Sequence, residues 1–303
     1  MLIRPAPLKE GDAVALVCPA SPVSRESLHA CMDSIRSLKL RPVLLPGCAQ
    51  SHGYLAGSDA QRARDLNRAF ASPEFKGIFC LRGGYGSPRI LPLLDLETIR
   101  KNPKCFVGFS DITALHLAFN QLCGFQTFHG PMPSSDYKTL DSFSLTSLTQ
   151  QLFTDASPGT LPHPPGHRPS VLIPGEARGV LTGGNLTLLV HTLGSPYEID
   201  TRNKILFLEE TGEPLYRIDR SLTALALAGK FRDCRGILLG TFTETGDADG
   251  ETPSLAGLFY EILAPWKKPA LFHIRAGHCM PSLTLLLGAE VYFDTESLAI
   301  SVI

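Results

Sequence analysis

The sequence predicts an α/β protein: an N-terminal domain built on a doubly wound, mostly parallel sheet, followed by a second, β-rich domain. Two observations carry that prediction. The first half alternates short apolar runs with amphipathic stretches, the βαβ rhythm of a parallel sheet. Beyond a stretch rich in Pro, Ser, Thr and His, the second half strings together strand-like runs with fewer helices between them. Length agrees, because 303 residues at 44% apolar content exceed what one core readily holds; single cores stop growing near roughly 250–300 residues.

Taken in order, AVALVCPAS (13–21) is the first strand and its turn, 24–38 a helix, and RPVLLPG (41–47) a second strand. A polar helix follows near 59–69. GIFCLRGGYG (77–86) then reads as a strand running into a glycine-rich turn. CFVGFS (105–110) is the next strand, and DITALHLAFNQL (111–122) is helical. Each strand ends in a turn that opens a helix, and in open α/β sheets ligands bind at those carboxyl ends. Between 133 and 174 the pattern dissolves, SPGTLPHPPGHRPS (157–170) being its least structured part. The expected organisation is therefore an α/β domain over 1–145, a linker over 146–175 and a β-rich domain over 176–303. The last of these holds strand-like runs at 179–194, 204–210, 236–242, 269–274, 284–293 and 298–303, with helices at 217–229 and 253–266.

Composition excludes several function classes. The 28 basic and 29 acidic residues are dispersed, so the net charge of −1 offers no footprint for nucleic acid or an anionic membrane. A small-molecule or peptide partner is expected instead. No apolar run reaches the roughly 18 residues that cross a bilayer, and the charged, Pro-containing start reads as mature sequence rather than a secretory signal. Cys18, Cys31, Cys48, Cys80, Cys105, Cys123, Cys234 and Cys279 form no C-x-x-C pair. They read as reduced thiols of a cytoplasmic protein rather than as disulfides or metal ligands.

Chemistry concentrates at the turns. Gly108-Phe109-Ser110-Asp111 sits between an apolar strand and a helix, where a serine can be held out at a sharp bend. Backbone N–H groups at that helix start can stabilise an oxyanion. Ile112 stands where G-x-S-x-G has its last glycine, and Ser110 is equally read as a plain N-cap. Arg82-Gly83-Gly84-Tyr85-Gly86 ends the preceding strand; its glycines let the backbone approach a ligand, and Gly84 is a second oxyanion donor unless the turn is merely structural. Of nine histidines, His278 follows a strand-like run and is the first choice of base, with His129 the second. Glu209 and Glu210 end a strongly apolar strand, and alternation points only one of them into a cleft to orient an imidazole.

Together these residues resemble the LD-carboxypeptidase family, which includes muramoyltetrapeptide carboxypeptidases and microcin self-immunity proteins. The similarity runs through VCPAS, LRGGYGSPRILPLLD, FVGFSDITALH, HGP, GVLTGGNLTLL, ILFLEE with YRIDRSL, GILLGTF and GHCMP, in order, across nearly the whole chain. It implies a triad of Ser110, Glu209 and His278, with oxyanion donors from the backbone N–H of Asp111 and Gly84. Glu209 rather than Glu210 is the acid, since family members carry it first in the pair. The resemblance also implies a homodimer and neither metal nor cofactor. Arg82, Gly83, His129, Asn185 and Arg217 are the expected substrate contacts, and Arg82, Arg217 and Arg220 lie near enough to the motifs to meet a substrate carboxylate. The expected activity is release of terminal D-alanine from a murein tetrapeptide. A self-immunity amidase acting on peptidyl-nucleotide antibiotics is disfavoured by the short chain with its single tryptophan, Trp266. A two-domain protein that binds an anionic ligand without catalysis is the remaining alternative.

Overall fold

All five residues of β1 (Ala13–Val17) are apolar and buried, as a strand covered on both faces requires. It lies in a sheet with β2 (Arg41–Leu44), β3 (Phe75–Cys80), β4 (Cys105–Gly108) and β5 (Thr127–His129). The computed structural model describes residues 2–155, 159–245 and 254–303. The chain divides into two units, Met1–Ala156 with Thr284–Leu287, and Ser157–Leu283 with Gly288–Ile303.

In the first unit the parallel strands run in the order β5-β4-β3-β1-β2, the doubly wound pattern expected. The two longest helices of this unit begin at serine caps. Ser24 accepts the Ser27 N–H at 3.2 Å to start helix Arg25–Ser37, and Ser58 accepts that of Gln61 at 3.2 Å to start Asp59–Ala71. The core is a cluster of buried phenylalanines in which Phe119 meets Phe70 at 5.1 Å, Phe106 at 4.9 Å and Phe125 at 5.7 Å between ring centroids. Each such ring contributes about 1.5–3 kcal/mol on burial.

In the second unit β6 (Gly159–Thr160), β7 (Ser170–Ile173), β8 (Glu176–Asn185), β9 (Lys204–Thr211), β10 (Gly236–Thr243), β11 (Ala270–Phe272), β13 (Glu290–Asp294) and β14 (Ala299–Val302) form an eight-stranded sheet. Its order is β6-β14-β13-β8-β9-β10-β11-β7. The central β8, β9, β10 and β11 are parallel, with helices Leu186–His191, Leu215–Leu227 and Leu255–Leu263 in the connections.

Three expectations change. The stretch treated as unstructured between 133 and 174 holds helix Ser142–Phe153, capped by Asp141 through the Ser144 N–H at 2.9 Å, and strand β7; residues 156–158 of the expected linker lie outside the described residues. Ser and Thr dilute the helical pattern there, while burial of Leu148 and Leu152 stabilises it. The run 179–194 is not one strand: β8 stops at Asn185, whose side chain accepts the Leu188 N–H at 3.2 Å and starts a helix. Finally 284–293 splits at Gly288, φ +90°, into β12 (Leu285–Leu287), antiparallel to β5 of the first unit, and β13 of the second. Among the described residues no helix is long and apolar enough to cross a membrane.

Candidate functional site

In the first unit the carboxyl ends of β1, β3 and β4 lie side by side where the strand order reverses, the place at which such sheets bind ligands. Ser110 lies one residue beyond β4, after Phe109, partly exposed, with φ +64°. A left-handed conformation at a non-glycine residue is uncommon and costs of order 1–3 kcal/mol, so surrounding contacts must hold it. The side chain of Asp111 supplies them. Buried to 1% exposure, it accepts the N–H of Gly86 at 3.2 Å and of Ser87 at 2.8 Å, while the Ser87 hydroxyl donates to the Asp111 carbonyl. Burial raises the Asp111 carboxyl above its usual range, and the donated N–H groups oppose that shift.

This clamp ties the Ser110 turn to the glycine turn. A Cβ on Gly83 would lie 3.1 Å from the Ser110 Cβ and 3.3 Å from its Oγ, so glycine is what lets the two turns approach. Gly84, φ +103°, is backed by Ser21, whose Oγ accepts the Tyr85 N–H at 3.1 Å. Behind the serine, His116 is bonded through Nε2 to the Gly108 carbonyl at 2.8 Å, and burial pushes its pKa down to about 4. It is a neutral structural donor that fixes the end of β4. His129 packs against Phe109 and His116, 1% exposed, in support of the turn.

In the second unit β9 places Glu209 and Glu210 on opposite faces, as alternation requires. Glu209, fully buried, bonds His278 Nδ1 through Oε2 at 2.7 Å; its Oε1 has no hydrogen-bond partner among the described residues. Glu210 instead accepts from the Asn185 amide at 2.8 Å and from the Thr187 and Thr211 N–H groups at 2.8 and 2.9 Å. Burial disfavours the charged form of His278, yet the bond to Glu209, with the charges of Glu209, Glu210 and Glu244, outweighs it and raises the pKa. The imidazole is held in place by its own segment. Thr241 of β10 donates through N–H and hydroxyl to the Ala276 carbonyl at 3.2 and 3.1 Å, and the Arg275 guanidinium donates to the carbonyls of Met280 and Pro281. A Cβ on Gly277, φ +100°, would lie 2.5 Å from Glu209 Oε2.

Within the first unit the structure thus brings together Ser110, Asp111 and Gly83, and within the second Glu209 and His278. Asn185 is spent on Glu210 and on its helix cap. Arg82 is exposed and donates to the Pro22 carbonyl at 3.4 Å. Arg217 is exposed and paired with Glu213 at 3.3 Å, and Arg220 lies over the Tyr216 ring at 5.4 Å. Sequence reasoning missed the side-chain role of Asp111, and it missed Gly277, although a glycine directly before the favoured histidine is a legible signal.

Residues 14–130 match the family model of the LD-carboxypeptidase N-terminal domain, and residues 178–293 that of the LD-carboxypeptidase C-terminal domain. A Bacillus subtilis protein described as a probable murein peptide carboxypeptidase is 40% identical over 96% of this chain and 92% of its own length. The murein tetrapeptide carboxypeptidase of Pseudomonas aeruginosa is 34% identical over 88% of this chain and 87% of its own. Among solved structures, the muramoyltetrapeptide carboxypeptidase of Oxalobacter formigenes superposes with a TM-score of 0.82 at 26% identity, covering 95% of this chain and 97% of that one. The microcin C7 self-immunity protein MccF, at 24% identity, shares the fold with a TM-score of 0.90 over 100% of this chain and 98% of that one.

Proposed function

The chain belongs to the LD-carboxypeptidase family, and from that premise we propose that it is a serine carboxypeptidase releasing terminal D-alanine from murein tetrapeptides by hydrolysis of the L,D-amide bond. The observation that carries the reading is the 2.7 Å bond between buried Glu209 and His278 Nδ1, which orients an imidazole as a general base requires. With Nδ1–H donated to Glu209, the neutral ring presents Nε2 as the acceptor of the Ser110 proton. The Ser110 oxygen attacks the carbonyl that precedes D-alanine. Backbone N–H groups of Asp111 and Gly84 stabilise the resulting oxyanion, an effect worth about 3–4 kcal/mol per donor in comparable sites. The imidazolium then gives its proton to the leaving amine, and water, deprotonated by His278, hydrolyses the acyl-enzyme. Arg82, exposed beside the glycine turn, is our choice for the substrate's terminal carboxylate.

A cytoplasmic homodimer is part of the same proposal. Its support is the family likeness and the fact that all eight cysteines are free, seven of them buried. The test is direct. Purified protein incubated with a defined tetrapeptide yields tripeptide and D-alanine by mass spectrometry, and Ser110→Ala yields none. Equal release by the variant, or none by the wild type, ends the proposal.

A further inference from the structure

At the amino ends of the strands in the first unit, opposite the ends that carry Ser110, the chain builds a second concave surface. Asp12 and Lys104 stand immediately before β1 and β4, Lys76 lies at the start of β3, and Lys101 closes the helix Leu96–Lys101. With Lys9 they line a cavity of about 520 Å³. β3 is six residues long, so about 17 Å of strand lies between this cavity and the glycine turn. Its charge is one-sided: among the described residues four lining side chains are lysines and one, Asp12, is an acid. Lys101 is paired with Glu97 at 2.7 Å. Glu10 and Glu74, which neighbour the other walls in sequence, are paired with Lys39 at 2.6 Å and Arg41 at 3.0 Å, and Asp12 accepts the Lys9 backbone N–H at 2.8 Å. Among the described residues no ion pair includes Lys9, Lys76 or Lys104.

Lys104 is the telling member of the set. It is 8% exposed, and its ammonium donates to the Ala69 carbonyl at 2.8 Å and to the Ser72 carbonyl, at the end of helix Asp59–Ala71. An ammonium has three donors, so one N–H is left over, and the carbonyls of a helix end offer only partial negative charge. Lys76 donates to the Pro73 carbonyl at 3.0 Å, again a neutral acceptor. Buried charges are ordinarily paired with opposite ones. Here the neighbouring charge is a like one, and burial together with Lys76 pushes the Lys104 pKa down to about 8. The countercharge must come from solution. Lysines meet an anion as point charges and need no planar fork, which suits the tetrahedral oxygens of a phosphate, whereas arginine, absent from the described lining, is the residue of flat bidentate pairs. Pro7, Pro73 and Pro103 add rigid apolar wall, and the volume lies within the roughly 300–1,000 Å³ of sites for organic ligands.

We propose that this cavity binds a phosphorylated small molecule, its phosphate met by Lys9, Lys76 and Lys104 and its organic body laid against the prolines. The site is independent of the carboxypeptidase reading and stands or falls on its own. Isothermal titration calorimetry of the full chain at low ionic strength uses two probes, phenyl phosphate and inorganic phosphate. Phenyl phosphate gives a saturable one-to-one isotherm with a Kd below about 1 mM, and inorganic phosphate, which lacks the body, binds more weakly. Lys9→Ala and Lys76→Ala each weaken phenyl phosphate by about tenfold, the scale of a charge-assisted contact. Arg64→Ala, which removes an exposed charge outside the cavity, leaves the Kd within about twofold. Because Lys104 also caps a helix, its part is read in the wild-type protein: lysine-selective NMR follows its titration, and bound phenyl phosphate raises its pKa, since a nearby anion favours the ammonium. Lack of saturation, equal weakening in all three variants, or a Lys104 titration unmoved by the probe overturns the site. Inorganic phosphate binding as tightly as phenyl phosphate overturns the organic ligand.

Discussion

Two opposed influences act on the His278 imidazole, and their balance sets how the protein responds to pH. Burial disfavours the imidazolium, while Glu209 at 2.7 Å, aided by Glu210 and Glu244, favours it more strongly. As the proposed base, His278 works only when neutral, so kcat/KM should rise with pH along a limb centred above the ordinary value of about 6.5. Glu209→Gln removes the stabilising charge and leaves the burial. Its limb shifts to lower pH, and kcat falls by up to about 10⁴-fold because the tautomer is no longer held; a pH–rate profile of the two proteins checks both effects. The same pair acts on stability. A histidine whose pKa is raised by folding stabilises fully below its unfolded value and loses that contribution as pH rises through the folded one. The melting temperature of the wild type therefore drops relative to Glu209→Gln between mildly acidic and alkaline pH. Gly277 makes this pairing sterically possible. Gly277→Ala sets a methyl 2.5 Å from the carboxylate at φ +100°, so a loss of about 1–3 kcal/mol is expected in a denaturant titration, with a parallel fall in kcat.

At the scale of elements, the turns after β3 and β4 behave as one piece because Asp111 clamps them. Asp111→Asn exchanges one acceptor for a donor facing a backbone N–H. An unmet buried donor costs about 1–3 kcal/mol, and the Ser110 backbone loses its brace. The expected outcome is a lower unfolding midpoint together with reduced turnover, and Asp111→Glu is expected to restore neither, since its added methylene must enter a site only 1% exposed. The sequence made the two turns legible separately, since glycine-rich and Gly-x-Ser turns after apolar strands announce themselves. The clamp was not legible, because Asp after Ser at a helix start reads equally as a dipole partner. The same holds for Asn185: inside the run 179–194 it read as strand and as a substrate contact, and only its bonds to Leu188 and Glu210 reveal it as a cap and a brace. Strand alternation, by contrast, put Glu209 and Glu210 on opposite faces in advance, while the choice of Glu209 as the acid came from the family resemblance.

Across the whole molecule, the hardest feature to read was the passage of Thr284–Leu287 into the first unit. TLLLGAEVYF is a continuous apolar run, and nothing in its periodicity announces that Gly288 sends its two halves to different sheets. The consequence is physical. β12 pairs Leu285, Leu286 and Leu287 with His129, Phe128 and Thr127 and so covers the outer edge of β5; the Thr284 N–H also bonds to Ser147 Oγ at 2.9 Å, and the Leu287 carbonyl lies 3.5 Å from the Asn120 amide. An uncovered edge strand presents unpaired backbone groups to solvent and to other chains. A chain ending at Leu283 therefore lacks not only β13 and β14 of the second unit but also the outer strand of the first. Amide hydrogen exchange should then show lost protection at Thr127–His129, some 150 residues from the cut by sequence, while β1 and β3 in the centre of that sheet exchange more slowly. Unchanged protection at Phe128 would mean that β5 is held by β4 alone, and that the long-range return of the chain contributes nothing to the first unit. The sheet that carries Ser110 runs through β4 into β5, bonded at Val107–Phe128 and Gly108–His129. Loosening β5 should therefore reach the Ser110 turn as well, lowering turnover in the truncated protein beyond what loss of folded material explains.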